Sequence, residues 1–204
     1  MRRTLLRLVV SAVLFCGLGA VRAGTNTYTF DGTGSGDLGG VGFTNAAFTI
    51  TVVAETMNIV NCSGGTFSLD STTASIAISG FPTVSILTPT RVFDNNDNSD
   101  LGFSLATCNG PDLMDMSDPA FANYALYGDR GPIFNATPFP GNQFHNVQTS
   151  GGILNMADNS VRNVTFNANC GGGPDEPGLQ APAAPSSDVQ LEGFVSGVLY
   201  NVFE

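Results

Sequence analysis

The sequence contains no lysine, no tryptophan and a single histidine, His145. Without lysine, the chain can neither form a Schiff base with a carbonyl substrate nor make the Lys–Asn isopeptide crosslinks of some surface adhesins. A serine hydrolase would have to use His145 as its base, but the G-x-S-x-G pattern that presents such a nucleophile is absent, as is the D-[ST]-G of aspartic proteases. These absences exclude lysine chemistry and argue against the common hydrolases.

Positive charge is also scarce. Four of the seven arginines lie in the first 23 residues, so the remaining 181 residues carry three arginines against 17 acidic residues, a net charge of −14. Such a surface repels phosphate backbones, and we therefore expect no nucleic-acid partner. This high negative charge is typical of a protein that is kept soluble by its carboxylates, or of a protein that attracts cations.

The first 23 residues have the pattern of a secretory signal peptide. Arginines come first, the apolar run Leu8–Leu18 follows, and small residues precede a predicted cleavage site after Ala23. The run is shorter than the ~18 residues that a membrane anchor needs, and the bulky Phe15 before Cys16 argues against lipidation. No later segment is long and apolar enough to span a bilayer. We expect an extracellular or periplasmic protein with no integral membrane segment after cleavage.

The rest of the chain is predicted to form one domain with a C-terminal extension. Residues 24–170 have the pattern of a β domain, and residues 171–188 are a Pro/Gly-rich linker. Residues 189–204 return to a strand pattern with apolar residues on both faces. This last strand either completes the sheet of its own molecule or pairs with another molecule, because an exposed apolar strand is a template for association.

The stretch Thr27–Val53 indicates the fold class. Apolar residues alternate with polar ones at both of its ends, as in half-buried strands, and the glycines between Gly32 and Gly42 predict a mobile turn between two strands. More short strands follow, separated by turn residues, which predicts a single all-β domain, an antiparallel β-sandwich of jelly-roll-like or immunoglobulin-like type. The predicted strands are Ala47–Thr56, Met57–Cys62, Thr66–Ser71, Thr73–Phe81, Val84–Phe93, Leu101–Thr107, Phe121–Tyr127, Ile133–Ala136, Gly152–Met156 and Val161–Ala168.

Several short motifs resemble an uncharacterised group of secreted bacterial β-rich proteins, many of which carry a PEP-CTERM sorting tail. The opening YTFDGTGSGDLGGVGFTNAAFTIT is the longest of them, and TASIAISG, TPTRVFDN and TSGGIL are later ones. The resemblance covers scattered pieces from about Thr27 to Ala168. The tail itself, a transmembrane run followed by basic residues, is absent from this sequence. The resemblance implies export and a β-rich fold, and it assigns no catalytic residue.

Export to an oxidising compartment predicts one disulfide among the three cysteines that follow the signal peptide. Three pairings are possible. We favour Cys62–Cys108, because both cysteines adjoin turn residues at strand ends, and this bridge would close a loop worth ~4 kcal/mol in the chain-entropy model. Cys170 would then be free to join two molecules. No cysteine-based metal site is expected, since the sequence has no C-x-x-C.

The segment DNNDNSD, residues 94–100, is the local cluster with the most chemical promise. Asp94, Asn96, Asn98 and Asp100 follow the D-x-[DN]-x-[DN] start of a calcium loop, and they offer the hard oxygens that Ca²⁺ prefers. The glycine and the terminal glutamate of an EF-hand are both missing, so the loop is not an EF-hand. The alternative to a calcium site is a solvated turn, because Asn and Asp are common turn residues.

A second acidic segment follows a few residues later. Asp112, Asp115 and Asp118 are three residues apart between two prolines, a spacing that predicts a short helical turn with its carboxylates on one face. Such a face could bind a cation or a sugar hydroxyl. The alternative is an acidic face that only contacts water.

Three functions are compatible with these features. The first, which we favour, is a secreted non-enzymatic β-sandwich with a structural or adhesive role at the cell surface or in extracellular matrix. The second is a carbohydrate-binding module, stabilised by calcium, for which Tyr124, Tyr127 and Tyr200 are the candidate aromatic residues. The third is a glycoside hydrolase that uses two carboxylates, with Glu55 and Glu192 as its candidate glutamates.

Overall fold

The structure, a computed structural model, describes residues 24–106, 108, 110–138 and 144–170. The predicted signal peptide, linker and C-terminal strand lie outside these residues. The described residues form a single all-β domain with antiparallel pairing throughout and no α-helix. The strands are β1 Thr25–Leu38, β2 Val41–Glu55, β3 Val60–Ser63, β4 Thr66–Asp70, β5 Thr73–Ile78, β6 Val84–Ser85, β7 Thr90–Asn95, β8 Asp100–Leu105, β9 Asp112–Ser117, β10 Arg130–Pro138, β11 Val147–Thr149, β12 Gly152–Met156 and β13 Arg162–Cys170.

One strand, β10, connects two groups of strands. The order of pairing is β3-β4-β7-β8-β9-β10-β13-β1-β2-β5-β6, and β12 pairs with both β1 and β11. We call β3, β4, β7, β8 and β9 the β7 half. We call β13, β1, β2, β5 and β6, together with β11 and β12, the β1 half. Thr137 and Pro138 of β10 pair with β9, whereas residues 130–136 pair with β13. Within the described ranges, no helix is long and apolar enough to cross a membrane.

The glycine-rich stretch is mostly strand, so the predicted mobile turn is wrong in its extent. β1 runs through Gly32, Gly34 and Gly36, and only Gly39 and Gly40 form the turn to β2, at φ values of 59° and 82°. The glycines inside β1 have a packing role. A Cβ on Gly36 would collide with the backbone of β12, and one on Gly32 would lie 2.8 Å from the Phe48 ring. Glycine therefore permits β1 to approach β12 and the Phe48 ring closely, and the local sequence does not reveal these neighbours.

Three other predicted elements differ from the structure. The predicted strand Val84–Phe93 is interrupted between β6 and β7, where Pro89 lacks the N–H that a continuous ladder needs. The predicted strand Phe121–Tyr127 belongs to the β9–β10 connection, which contains a 3-10 turn over Pro119–Phe121. A second 3-10 turn, Thr56–Asn58, separates β2 from β3 at the place where a strand was predicted to start.

Aromatic rings join the two halves and the β9–β10 connection. Phe30 of β1 contacts Phe103 of β8, with 6.2 Å between ring centroids. Phe166 of β13 contacts Phe30 at 5.3 Å and Phe121 of the connection at 5.6 Å, and it also packs near Tyr28 and Tyr124. These side chains are almost completely buried. Burial of each aliphatic or phenyl side chain contributes about 1.5–3 kcal/mol, which makes this cluster a main source of stability.

Replacing Gly36 by alanine should destabilise the protein, because the new methyl group has to push β12 away from β1. We expect the free energy of unfolding to fall by about 1–3 kcal/mol, measured by urea denaturation. Gly42→Ala is the matched control from the same hairpin, since its Cβ would have its nearest neighbour at an ordinary 3.7 Å. Equal stability of the two variants would contradict the assigned role of Gly36.

Candidate functional site

The predicted calcium loop is the hairpin between β7 and β8. Asn95 pairs with Asp100, and residues 96–99 form the turn. The Asn95 side-chain oxygen accepts a hydrogen bond from the Asp97 amide (3.2 Å), and the Asn98 amide donates to the Asn95 carbonyl (3.2 Å). Asn95, which was not among the predicted ligands, thus shapes the turn through its own side chain.

The four predicted ligands occupy different environments. Asp94 is completely buried, Asn96 and Asp100 are half-buried, and Asn98 is exposed. Asp94 lies in β7, and its side chain starts on one side of the hairpin, whereas Asn96 is the first residue of the turn. Asp100 starts on the other side, because it pairs with Asn95. The structure therefore removes three of the predicted ligands at least partly from solvent and leaves Asn98 exposed.

Buried polar atoms without a partner concentrate in this hairpin. In the part of the chain that the structure describes, six buried side-chain nitrogen or oxygen atoms make no hydrogen bond. Four of them are the two carboxylate oxygens of Asp94 and the Oδ1 atoms of Asn96 and Asp100, and the others are Asn26 Oδ1 and Arg130 Nε. Each such group costs about 1–3 kcal/mol when nothing pairs with it. The hairpin therefore lacks the hydrogen-bond donors or cations that would pair with these four oxygen atoms.

Asp94 is electrostatically unusual. Burial raises the pKa of this carboxyl to about 8, the positive charge of Arg130 lowers it, and the negative charge of Asp100 raises it. Asp94 and Arg130 do not hydrogen-bond to each other. The Arg130 guanidinium instead lies over the Tyr124 ring, 5.0 Å from its centroid. Arg130 therefore acts on Asp94 through space and does not form an ion pair with it.

The β9–β10 connection packs next to Arg130 through polar contacts to β1. The Tyr28 hydroxyl donates to the Leu126 carbonyl (2.7 Å), and the Asn26 amide group donates to the same carbonyl (3.2 Å). The Tyr124 hydroxyl donates to the Gly128 carbonyl (3.3 Å). Tyr124, one of the predicted sugar-binding residues, is only 2% exposed and serves packing.

Tyr127 is the other predicted sugar-binding tyrosine in the described residues, and it is 44% exposed. Tyr200 lies outside the described residues, as does Glu192, one of the two candidate catalytic glutamates. The other glutamate, Glu55, is half-buried and accepts a hydrogen bond from the Thr25 hydroxyl (3.0 Å).

The predicted helical turn at Asp112, Asp115 and Asp118 is wrong, because Asp112–Ser117 is strand β9. Met114 and Met116 of this strand are buried, and its pairing with β8 overrides the spacing of the aspartates. The carboxylate of Asp118 caps the following 3-10 turn by accepting a hydrogen bond from the Ala120 amide (2.8 Å). It therefore has a structural role in the chain.

Three carboxylates nevertheless share one face of β8 and β9. Asp115 lies opposite Gly102, Asp112 lies opposite Ser104, and Asp100 lies opposite Ser117 one step further along the pair. Burial, together with the negative charges of Asp112 and Asp100, raises the pKa of Asp115 to about 7. Burial also raises the pKa of Asp112, against the opposing effect of Arg91, and that of Asp100. The sequence placed Asp100 and Asp115 in separate motifs, and the antiparallel register brings them together.

A disulfide joins Cys62 and Cys108, which confirms the pairing favoured from the sequence. The buried side chain of Arg91 packs against it, with Nη1 donating to Cys62 Sγ (3.4 Å) and Nη2 to the Cys108 carbonyl (3.1 Å). Arg91 Nε donates to the Ser104 hydroxyl (2.7 Å), and the guanidinium lies 5.8 Å from the Phe93 centroid. Sequence reasoning missed this residue, although a charged side chain inside the strand pattern TRVF was a signal for it.

Two further groups lie apart from the hairpin. Cys170, at the end of β13, is a free and exposed thiol. His145 Nε2 lies within hydrogen-bond distance of Asp158 Oδ1 (2.9 Å), and both side chains are well exposed. In the described residues no three histidine, cysteine, aspartate or glutamate side chains are grouped closely enough to hold a metal ion by themselves. A metal site in this part of the chain therefore needs amide or carbonyl oxygens as well.

Comparison of the chain with models of known protein families, with curated proteins and with solved structures gave no match.

The raised pKa of Asp115 predicts that stability falls as the pH rises. In the unfolded chain this carboxyl titrates near its ordinary value of 3.8, whereas in the folded protein it keeps its proton to about pH 7. The folded state thus binds more protons between these values, and the free energy of unfolding decreases across this window. We expect Asp115→Asn to gain stability relative to the wild type when unfolding is measured at pH 8 rather than at pH 5. Parallel pH profiles of the two proteins would show that Asp115 ionises normally.

Proposed function

We propose that the chain is an exported, non-enzymatic β-sandwich with a structural or adhesive role at the cell surface or in the extracellular matrix. The Cys62–Cys108 disulfide is the observation that carries the proposal. Disulfides persist outside the reducing cytosol, and this one is built into the fold through its contacts with buried Arg91. The secretory pattern of residues 1–23 and the resemblance to secreted bacterial proteins support the same conclusion.

Packing between the two halves supports the sandwich arrangement. Phe30 of the β1 half meets Phe103 of the β7 half, and residues from both halves belong to one buried apolar cluster. Along β1 the buried residues alternate with half-buried ones, as expected where one face of a sheet covers another. Side chains of two sheets that interdigitate in this way form a common core.

An adhesive role is supported by a free strand edge. Within the described residues β3 ends the order of strands and pairs on one side only, with β4. Val60 of β3 and the adjacent Met57 are 50% and 64% exposed. An open edge with exposed apolar side chains is a surface to which a further strand or an apolar partner can attach.

Export can be tested through the disulfide. A bacterial host should process the full chain and deliver it outside the cytosol with Cys62 and Cys108 oxidised, so that thiol labelling after denaturation modifies Cys170 alone. The same chain without residues 1–23 should remain in the cytosol with its thiols reduced. We expect Cys62→Ser with Cys108→Ser to lower the free energy of unfolding of the exported protein by about 4 kcal/mol. Cys170→Ser is the matched control and should leave it unchanged. Retention of the full chain in the cytosol would overturn the proposal.

Carbohydrate binding is a second candidate function, and the exposure of Tyr127 is the observation that favours it. Aromatic rings at a surface can stack on sugar rings. If this function is correct, the protein should be retained on an insoluble polysaccharide, and Tyr127→Ala should reduce the retained fraction severalfold. Phe134→Ala, which removes a comparably exposed ring from β10, is the control.

The same assay separates the remaining functions. If none of the polysaccharides tested retains the protein, the carbohydrate-binding function is rejected and the structural role remains. Release of reducing sugar, lost in Asp115→Asn, would instead indicate a glycoside hydrolase that uses the carboxylates of β8 and β9.

A further inference from the structure

We propose that the β7–β8 hairpin binds a calcium ion through the side chains of Asp94 and Asn96, with Asp100 adding negative charge. The proposal does not depend on the exported or adhesive role. It differs from the sequence-based calcium loop in two respects. It leaves out Asn98, which is exposed, and it gives Asp100 an electrostatic role and not that of a ligand.

The buried carboxylate of Asp94 is the first argument. Its relative exposure is 0%, and neither of its oxygens accepts a hydrogen bond. A buried carboxyl group without a partner is rare in proteins, because its loss of hydration has to be offset by hydrogen bonds, an ion pair or a bound cation. The positive charge of Arg130 acts on Asp94 through space, but its guanidinium lies over Tyr124 and does not hydrogen-bond to Asp94.

The neighbouring oxygen atoms are the second argument. Asn96 Oδ1 and Asp100 Oδ1 are also buried and unpartnered, so one hairpin contains four such atoms. All four are oxygens, and none is a nitrogen or sulfur. The Asp94 carboxylate and the Asn96 amide oxygen, at the junction of strand and turn, match the preference of Ca²⁺ for hard ligands. Backbone carbonyls can complete its coordination of six to eight oxygens.

The electrostatic environment is the third argument. Asp100 interacts with Asp94 through space, and the Asp97 carboxylate lies in the same turn and accepts a hydrogen bond from the Gly65 amide (3.4 Å). A divalent cation would offset the repulsion among these carboxylates. The high net negative charge of the chain would also raise the local concentration of cations.

The test is calcium binding by the purified mature protein, measured by isothermal titration and by thermal unfolding in EDTA and in 2 mM CaCl₂. We expect saturable binding of about one ion and a rise in Tm of about 3 °C or more, since a ligand that binds only the folded state stabilises it. Asp94→Asn should abolish both effects, Asn96→Ala should weaken binding about tenfold or more, and Asp100→Asn should weaken it less.

Asn98→Ala is the matched control from the same turn, and it should bind calcium as the wild type does. Loss of binding in Asn98→Ala equal to that in Asn96→Ala would overturn the ligand assignment. No binding by the wild type, or full binding by Asp94→Asn, would overturn the proposal itself. If Asp94→Asn does not fold, Asn96→Ala decides the question, because Asn96 is only half-buried and its loss should leave the hairpin intact.

Discussion

The contact of Phe166 with four other rings is the interaction on which the positions of the remaining elements depend. Its ring packs against Phe30 and Tyr28 of β1 and against Phe121 and Tyr124 of the β9–β10 connection. The connection has little regular structure of its own, so these rings and the hydrogen bonds to the Leu126 carbonyl determine where it lies. Arg130 follows this connection directly in the chain, and its guanidinium lies over the Tyr124 ring. The aromatic cluster therefore also positions the positive charge that lowers the pKa of the buried Asp94 carboxyl.

Much of the fold is predictable from the sequence, because half-buried strands impose a two-residue period on it. The alternation in Tyr28–Phe30 and in Thr73–Ile78 identifies strands that the structure confirms, and the bounds of β12 are those predicted. The Cys62–Cys108 pair was predictable as well, since turn residues placed both cysteines at strand ends. The prediction failed at Gly36, where a partner strand distant in sequence makes glycine necessary inside a strand. Local composition contains no information on such an approach.

The candidate site was predictable in composition but not in geometry. The oxygen-rich segment after Phe93 was evident, yet Asn and Asp in a turn usually face solvent, and nothing local indicated that Asp94 is completely buried. The grouping of Asp100 with Asp115 required the register of β8 and β9. Arg91 is a similar case, because its burial beside the disulfide follows from the pairing of β7 with β8 and from the crosslink between segments distant in sequence.

The short pairing of β10 with β9 has a mechanical consequence. Among the described residues, the two halves share a backbone ladder only through Thr137 and Pro138, and proline contributes no N–H to it. By contrast, β1 and β2 are paired along almost their whole length. A pulling force applied across the halves would therefore be resisted by the side-chain packing around Phe30 and Phe103 and by the chain segments that cross from β2 to β3, from β4 to β5 and from β6 to β7. The crosslink between Cys62 and Cys108 would limit how far the β7 half could unravel under such a force.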